Sequence, residues 1–499
     1  MTASTSTAEA PAGLLQQARA LLIRTMTFYR DDPRTASWLR ERLERIEAPL
    51  RIAVTGRVKS GKSTLINALV GAELAPTDAE ERTQVNTVYQ YGPEPRITAY
   101  TPHGAAQNVP VTTLDPGTIR DLQRWRPDEI SRLVIDSPSP GLQAITLIET
   151  PGVSSSAVKE TGRSALAQIL SEADAMLYLT RHPHQTDIQF LQSAHELEVA
   201  RRAPINTILA FSRADEVGSG GSDAMPSADR VAELYRNEPR VRSFAQYVLP
   251  VIGLLGQAAA TLDADDFDAL AALARLSSAE FENLLLSADR FVNSTTPETV
   301  STTTRQDLLQ RFGRFGVEHA VTLITRGAGD LKKLRSALLA DSRLNDLQES
   351  LHQQFVERQE ALRARSVLMA VEMVLRANPR SGGRQLRGEF ERLLANAHEW
   401  DELRLLSALR SGQVRLPPHE REAAERLLGA FGNQRHIRLG RRPDAPESEL
   451  SNRASDALLQ WRTLAMDPMR DHVHREAART VLRSCERLIA DTSVRDTAG

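Results

Sequence analysis

Apolar positions recur at helical spacing near the start of the chain, where Leu14, Leu15, Ala18, Leu21, Leu22, Met26 and Tyr29 share one face. Asp31-Asp32-Pro33 interrupts that period, and Trp38, Leu39, Leu43 and Ile46 carry a second amphipathic helix to Pro49. From Leu50 to about Gly253 the pattern changes. Short β-prone runs at 50–55, 87–91, 96–100, 145–149, 175–180, 207–212 and 247–251 alternate with helical segments, which predicts an α/β domain with a mixed, mostly parallel sheet. Beyond Gly253 these runs stop, and 267–276, 279–292, 305–325 and 331–375 read as helices. Pro379 to Gly383, Leu416-Pro417-Pro418 and Arg442 to Pro446 are the clearest breaks. No fixed repeat period is visible, so an all-α neck and trunk bundle is expected rather than a solenoid. The expected division is a disordered 1–12, N-terminal neck helices over 13–48, the α/β domain over 49–260 and further neck helices over 261–345. A helical trunk over 346–470 and a C-terminal helix over 471–499, returning toward the neck, complete it.

Composition narrows the setting. A chain of 499 residues is too long for one ordinary core. The net charge of −2 gives no global pull toward nucleic acid, and no nucleic-acid partner is expected. The single cysteine, Cys485, suits a reducing compartment. No apolar run approaches the roughly 20 residues that span a bilayer, and Met1 to Gly13 lacks the layout of a signal peptide. A cytoplasmic protein that touches a membrane only peripherally, at its inner face, is the expectation.

The candidate chemistry centres on Gly56-Arg57-Val58-Lys59-Ser60-Gly61-Lys62-Ser63-Thr64, which follows a β-prone run and opens a helical segment. This is the G-x-x-x-x-G-K-[ST] phosphate loop in its required strand–loop–helix context. Backbone amides and the new helix N-terminus favour an anion there. Lys62 is expected to reach the β- and γ-phosphates, and the Ser63 hydroxyl to bind Mg²⁺. The chain has five lysines (Lys59, Lys62, Lys159, Lys332 and Lys333), and two lie in this loop, where a compact ammonium has a use that arginine does not.

Four further segments extend the site. Thr83, after a polar loop and before a β-prone run, is the candidate switch threonine for Mg²⁺ and the γ-phosphate, with Thr77 and Thr87 as alternatives. Glu149-Thr150-Pro151-Gly152 has the form of a D-x-x-G element with glutamate in the aspartate position. Its carboxylate is expected to meet the metal through water, and the Gly152 amide to sense the γ-phosphate. Ser212-Arg213-Ala214-Asp215 has the form of a degenerate N/T-K-x-D element, in which Asp215 accepts from guanine N1–H and N2–H and Arg213 stacks on the base. Ile252-Gly253 is a weak counterpart of the base-flanking element. His182 and His184 flank Pro183 without a nearby ligand cluster and read as loop residues.

The stretch GRVKSGKSTLINALVGAELAPTDAEERTQVNTVYQYG, with ETPGVSS, SRADEVG and LPVIGLLG after it, resembles the bacterial dynamin-like GTPases, and among them the mycobacterial isoniazid-inducible group. The resemblance continues through LLQRFGRFGVEHAV, LHQQFVERQEAL and DELRLLSAL, and so covers almost the whole chain. It implies a P-loop GTPase domain that takes GTP and Mg²⁺, a helical neck built from both ends of the chain, and a trunk whose tip meets lipid. It also implies self-association through the GTPase heads and a second dynamin-like protein as partner. The family's functional residues transfer to Lys59, Lys62, Ser63, Thr83, Glu149, Gly152 and Asp215.

Val153 stands where Ras-type proteins carry the water-positioning glutamine, so catalysis must draw on another group. Relatives use the position of Lys59 for a cation-holding serine or an internal arginine. Either Lys59 places charge on the transferring phosphoryl group, or it adds only to ground-state affinity. Three basic stretches are candidate tips toward anionic lipid: 376–387, 410–418, and Arg435 to Arg442. Two other readings stay open, a nucleotide-binding scaffold for an active partner and an ATP-dependent P-loop regulator.

Overall fold

The computed structural model describes residues 13–77, 85–111, 113–114, 116–123, 129–152, 172–182, 184–193, 199, 207–217, 223–242, 245 and 247–495. It divides into two compact units. One contains 49–192 and 207–356; the other contains 1–48, 193–206 and 357–499. The first is an α/β unit and the second is helical. The expected terminal segment 1–12 lies outside the described residues, as do Thr83 and Val153.

In the α/β unit the described strands are β1 (Leu50–Gly56), β2 (Asn86–Tyr91), β3 (Arg96–Tyr100), β4 (Ala106–Val109), β5 (Arg132–Ser137), β6 (Ile145–Glu149), β7 (Ala175–Thr180), β8 (Thr207–Ser212) and β9 (Tyr247–Val251). They form one sheet in the order β4-β3-β5-β2-β6-β1-β7-β8-β9. The run β6-β1-β7-β8-β9 is parallel, and β2 pairs antiparallel to β6. The sheet is therefore mixed and mostly parallel. β7 and β8 are buried at every position, which explains their continuous apolar runs: central parallel strands have both faces covered. β4 and β5 were not among the runs read from sequence. β4 acquires strand geometry by pairing with β3, and β5 by pairing with both β3 and β2.

The helices from Gly253 to Gln354 belong to this same unit. Gly253–Thr261, Ala264–Leu273, Thr302–Thr325 and Leu331–Asp341 bury Leu255, Leu270, Leu308, Phe312, Leu334 and Leu338 with Phe211 and Ile252. Their starts are fixed locally. Asp263 and Asp266 form a capping box, as do Ser277 and Glu280, while Ser287, Ser301 and Asp330 cap the next three helices. The segment 279–292, read as one helix, is two: Ser278–Leu284 and Ala288–Asn293. The segment 331–375 is likewise divided, with Arg343 in the left-handed region at φ 59°.

In the helical unit, Leu14–Phe28 packs on Gln359–Ala377, and Tyr29 donates to the Asn378 carbonyl at 2.6 Å. The second helix, Pro33–Glu44, is capped by Asp32 and stops short of Pro49. Farther along, Glu447–Met466 and His472–Arg495 form a hairpin whose core holds Leu406, Ala454, Trp461, Val481 and Cys485.

Candidate functional site

The carboxyl ends of the parallel strands gather the candidate residues along one edge, where ligands bind on open α/β sheets. At the end of β1, Gly56 has φ 148°, and a Cβ there would lie 2.2 Å from the Leu179 carbonyl oxygen of β7. Only glycine fits. Lys59 follows at φ 62° and Gly61 at φ 87°, and Gly61 is the N-cap of the helix Lys62–Val70. Lys62 is buried, and its Nζ donates to the carbonyls of Arg57 at 3.2 Å and Gly56 at 3.5 Å. Burial lowers the Lys62 pKa, and the nearby Glu149 charge opposes that shift. The Ser60 hydroxyl is buried without a protein partner among the described residues, as is that of Ser212 at the end of β8. Buried hydroxyls in such positions fit a site whose remaining acceptors come from a ligand. Arg57, Val58 and Thr64 complete the loop and first helical turn.

Next to the loop, Ser63 Oγ donates to Glu149 Oε1 at 2.5 Å. The other carboxylate oxygen accepts from the Tyr89 hydroxyl at 3.2 Å, and Glu149 is buried. The longer glutamate side chain thus still reaches the serine that opens the helix. No group of three or more His, Cys, Asp or Glu at metal-holding distance occurs among the described residues. One hydroxyl and one carboxylate suit a cation that takes its other ligands from phosphate and water, the usual arrangement for Mg²⁺. Gly152 lies under the loop, where a Cβ would come within 2.7 Å of Val58 Cγ2 and 3.1 Å of the Val58 nitrogen. Thr87 is the β2 partner of Glu149.

On the base side, Arg213 is left-handed at φ 54° and begins the turn Ala214–Glu216. Its guanidinium donates to Glu216 Oε1 at 2.6 Å. Burial raises the Asp215 pKa from the ordinary aspartate value; the turn's own backbone hydrogen bond pulls it down, Glu216 pushes it up, and Arg213 and Arg181 lower it. Ile252 turns into the core with Phe211 and Leu255, and Gly253 begins the helix that lies against Leu65. Of that pair, the Ile252 side chain is buried in that core.

Two residues of this edge escaped the sequence reading. Tyr89 reaches Glu149 because β2 runs antiparallel beside β6. Arg181 follows the last residue of β7 and donates to the Lys59 carbonyl at 3.2 Å. Its position just past a β-prone run was the available signal. The His182 ring lies tilted against Phe211, with ring centroids 5.5 Å apart, and the His184 amide donates to Asp187 at 2.8 Å.

The three basic stretches of the helical unit differ in what they touch. In the first, Arg376 pairs with Glu372 at 2.5 Å and Arg380 with Asp31. In the third, Arg435 pairs with Glu447, Arg438 with Glu402 at 2.5 Å and Arg441 with Glu449 at 2.6 Å. The second lies at the turn of the long hairpin, where the Arg415 carbonyl pairs with His474 Nε2 at 2.7 Å and Glu420 with Arg470 at 2.6 Å. That turn leaves Met466 70%, Met469 92% and Val473 50% exposed. No helix among the described residues is long and apolar enough to cross a membrane.

The chain is similar in sequence to known proteins. The dynamin family model matches residues 52–208. Isoniazid-induced protein IniC of Mycobacterium tuberculosis is 36% identical over 487 residues, 96% of this chain and 98% of its own length. Isoniazid-induced protein IniA of the same organism is 29% identical over 34% of this chain and 26% of its own length. A solved oligomerised bacterial dynamin pair covers 100% of this chain and 77% of its own, with a TM-score of 0.33 at 13% identity. With near-complete coverage by IniC and the dynamin signature on its sheet, the chain belongs to the bacterial dynamin-like proteins.

Proposed function

We propose that the chain is a Mg²⁺-dependent GTPase of dynamin type that couples its nucleotide cycle to contact with anionic lipid. The observation that carries the reading is the hydrogen bond between Ser63 and Glu149 at 2.5 Å, which joins the phosphate loop to the E-T-P-G element. Ser63 and Glu149, with Thr83 from the segment before β2, are the residues that would hold Mg²⁺. The metal, when bound, neutralises charge on the β- and γ-phosphates. Lys62 binds the phosphates through its buried ammonium, and the amides from Arg57 to Thr64 line the anion site. The Gly152 amide donates to the γ-phosphate. Asp215 accepts from the guanine edge, with Ser212, Arg213 and the Gly253 backbone beside it. Valine at 153 cannot orient water, so Lys59 supplies positive charge to the transferring phosphoryl group, most effectively when a second head closes the site.

Lipid contact is assigned to the hairpin turn around Met469 and the neighbouring Arg415. Exposed thioethers and an exposed cation together suit an anionic interface, where each cation contributes about 1 kcal/mol. Self-association through the heads and pairing with a second dynamin-like protein follow the family pattern, as does a cytoplasmic, peripheral location. Turnover of GTP and ATP by the full chain, with and without anionic vesicles, tests the proposal. Mg²⁺-dependent GTP turnover that Lys62→Ala abolishes, with vesicle flotation that Met466→Glu/Met469→Glu abolishes, is expected. ATP preference, or flotation indifferent to these methionines, rejects the corresponding half. Turnover that arises only on adding a partner dynamin-like protein supports the scaffold reading, which the glutamate at 149 and serine at 212 favour.

A further inference from the structure

One arginine at the carboxyl end of β7 joins the phosphate side of the site to the base side. Arg181 Nη2 donates to the Lys59 carbonyl at 3.2 Å, and its Nη1 lies 3.2 Å from Glu216 Oε2. Glu216 Oε1 accepts from Arg213 at 2.6 Å. Lys59 belongs to the phosphate loop, and Glu216 follows Asp215 in the base-side turn. The guanidinium therefore spans both.

The segment that presents Arg181 is fastened independently of it. Thr180 Oγ1 donates to the His182 carbonyl at 2.8 Å. The buried Tyr178 hydroxyl donates to Asp187 Oδ1 at 2.6 Å, and Asp187 Oδ2 accepts the His184 amide at 2.8 Å. With the His182 ring against Phe211, the backbone on either side of Arg181 is fixed to the sheet and to the helix Gln185–Ser193. At the other end, Lys59 sits at φ 62°, a conformation that a residue with a Cβ keeps only when its surroundings hold it. Arg181 and Glu216 are 44% and 45% exposed, so their ion pair adds little to stability. Its value is directional. A planar guanidinium can serve a carbonyl and a carboxylate at once at fixed angles, which a lysine ammonium reproduces only in part.

We propose that Arg181 is a positioning residue that holds the Lys59 peptide in its left-handed turn and, through Glu216, makes that turn depend on the base-side loop. This rests on the nucleotide reading above. Filling the base side restrains Asp215 and Glu216; Glu216 restrains Arg181; Arg181 then fixes the backbone from which Lys59 projects. Ground-state binding through Lys62 and the loop amides does not require this linkage, whereas charge placed on the transferring phosphoryl group does.

The test compares wild type, Arg181→Ala, Arg181→Lys and Glu216→Gln as full chains. It measures GDP affinity, the gain in affinity when aluminium fluoride joins GDP as a planar phosphoryl mimic, and kcat and KM for GTP. For Arg181→Ala, GDP affinity is expected to stay within about twofold, while kcat and the fluoride gain fall about tenfold, the scale of a small misplacement of a reacting group. Arg181→Lys should recover part of that loss, and Glu216→Gln should fall in the same direction by less. Unchanged kcat and fluoride gain in Arg181→Ala overturn the proposal. So does a joint loss of GDP affinity and melting temperature with no recovery in Arg181→Lys, which would mark a merely structural contact. If the wild type selects adenine, the guanine reading fails and the same comparison with ADP and ATP decides the role of Arg181. If the wild type binds neither nucleotide, both fall.

Discussion

A carboxylate distinguishes guanine only while it is ionised, so the pKa of Asp215 controls the affinity assigned to it. Burial at the end of β8 raises that pKa, and the neighbouring charges of Glu216, Arg213 and Arg181 oppose one another. Asp215 therefore takes up its proton at a higher pH than a solvated aspartate. Because burial disfavours the ionised form, the charge at neutral pH also costs the fold some stability. GDP affinity should fall on acidification before the usual aspartate range is reached, and Asp215→Asn should bind GDP more weakly with a flatter pH profile. Titrations across pH check this, and a wild-type midpoint at the ordinary aspartate value contradicts it. Asp215 was legible because it follows a β-prone run in a spaced motif; Glu149 was legible for the same reason. Tyr89 was not, since a strand's apolar alternation does not say which neighbour it pairs with or in what register. Arg181 was not, because no motif spacing includes it.

At the scale of elements, patterning identified strands buried on both faces and failed where pairing makes the strand. β4 is Ala106-Gln107-Asn108-Val109 and is mostly exposed; no apolar alternation marks it, and its hairpin with β3 gives it shape. The helix Thr302–Thr325 presents the opposite problem, because its apolar period runs through a break. Gly313 lies at φ 67° and ψ 172° inside it, a region that essentially only glycine enters. A Cβ there would sit 3.1 Å from Leu254 Cδ2 in the helix after β9. An ordinary glycine in a helix interior gains roughly 0.5–1 kcal/mol when replaced by alanine. Gly313→Ala should instead lose about 1–3 kcal/mol, the usual scale of backbone strain. Denaturant unfolding monitored by circular dichroism reads the sign directly, and a stabilised variant would show that this segment is an uninterrupted helix.

Over the whole molecule, sequence gave each amphipathic helix a buried face without naming what covers it. The helices between Gly253 and Asp341 carry residues of the α/β unit's core, and the first helix joins the helical unit, because Leu308 and Phe312 share a core with Phe211 while Leu14–Phe28 packs on Gln359–Ala377. The two units also carry different acid sensitivities. In the helical unit Glu402 and Arg438 are buried with their charged atoms 2.5 Å apart. Burial pushes the Glu402 pKa upward, but Arg438, then hydrogen bonds from His398 and Ser484, bring it down to about 2. Arg358, beside them, falls to about 10 through burial and the repulsion of Arg438 and Arg410. A depressed carboxylate pKa contributes stability that is present above the unfolded value, about 4.3, and is lost as the pH falls toward 2. Glu402→Gln removes the negative charge and leaves two buried guanidinium groups facing each other. It should destabilise the helical unit by about 3–5 kcal/mol at neutral pH, the cost of breaking a buried pair from one side. That deficit should shrink as the pH falls from ~4 toward 2, because the unfolded wild type takes up a proton at Glu402 in that window while the folded one stays ionised down to about 2; only below that do protonated glutamate and glutamine present the same neutral group to Arg438. The nucleotide site belongs to the other unit, so GDP affinity under folding conditions should stay within about twofold of wild type. Thermal unfolding of both proteins across acid pH, with GDP binding measured in parallel, tests the pair of expectations. A deficit that persists unchanged at low pH would mean that shape at position 402, rather than its charge, holds the helices together.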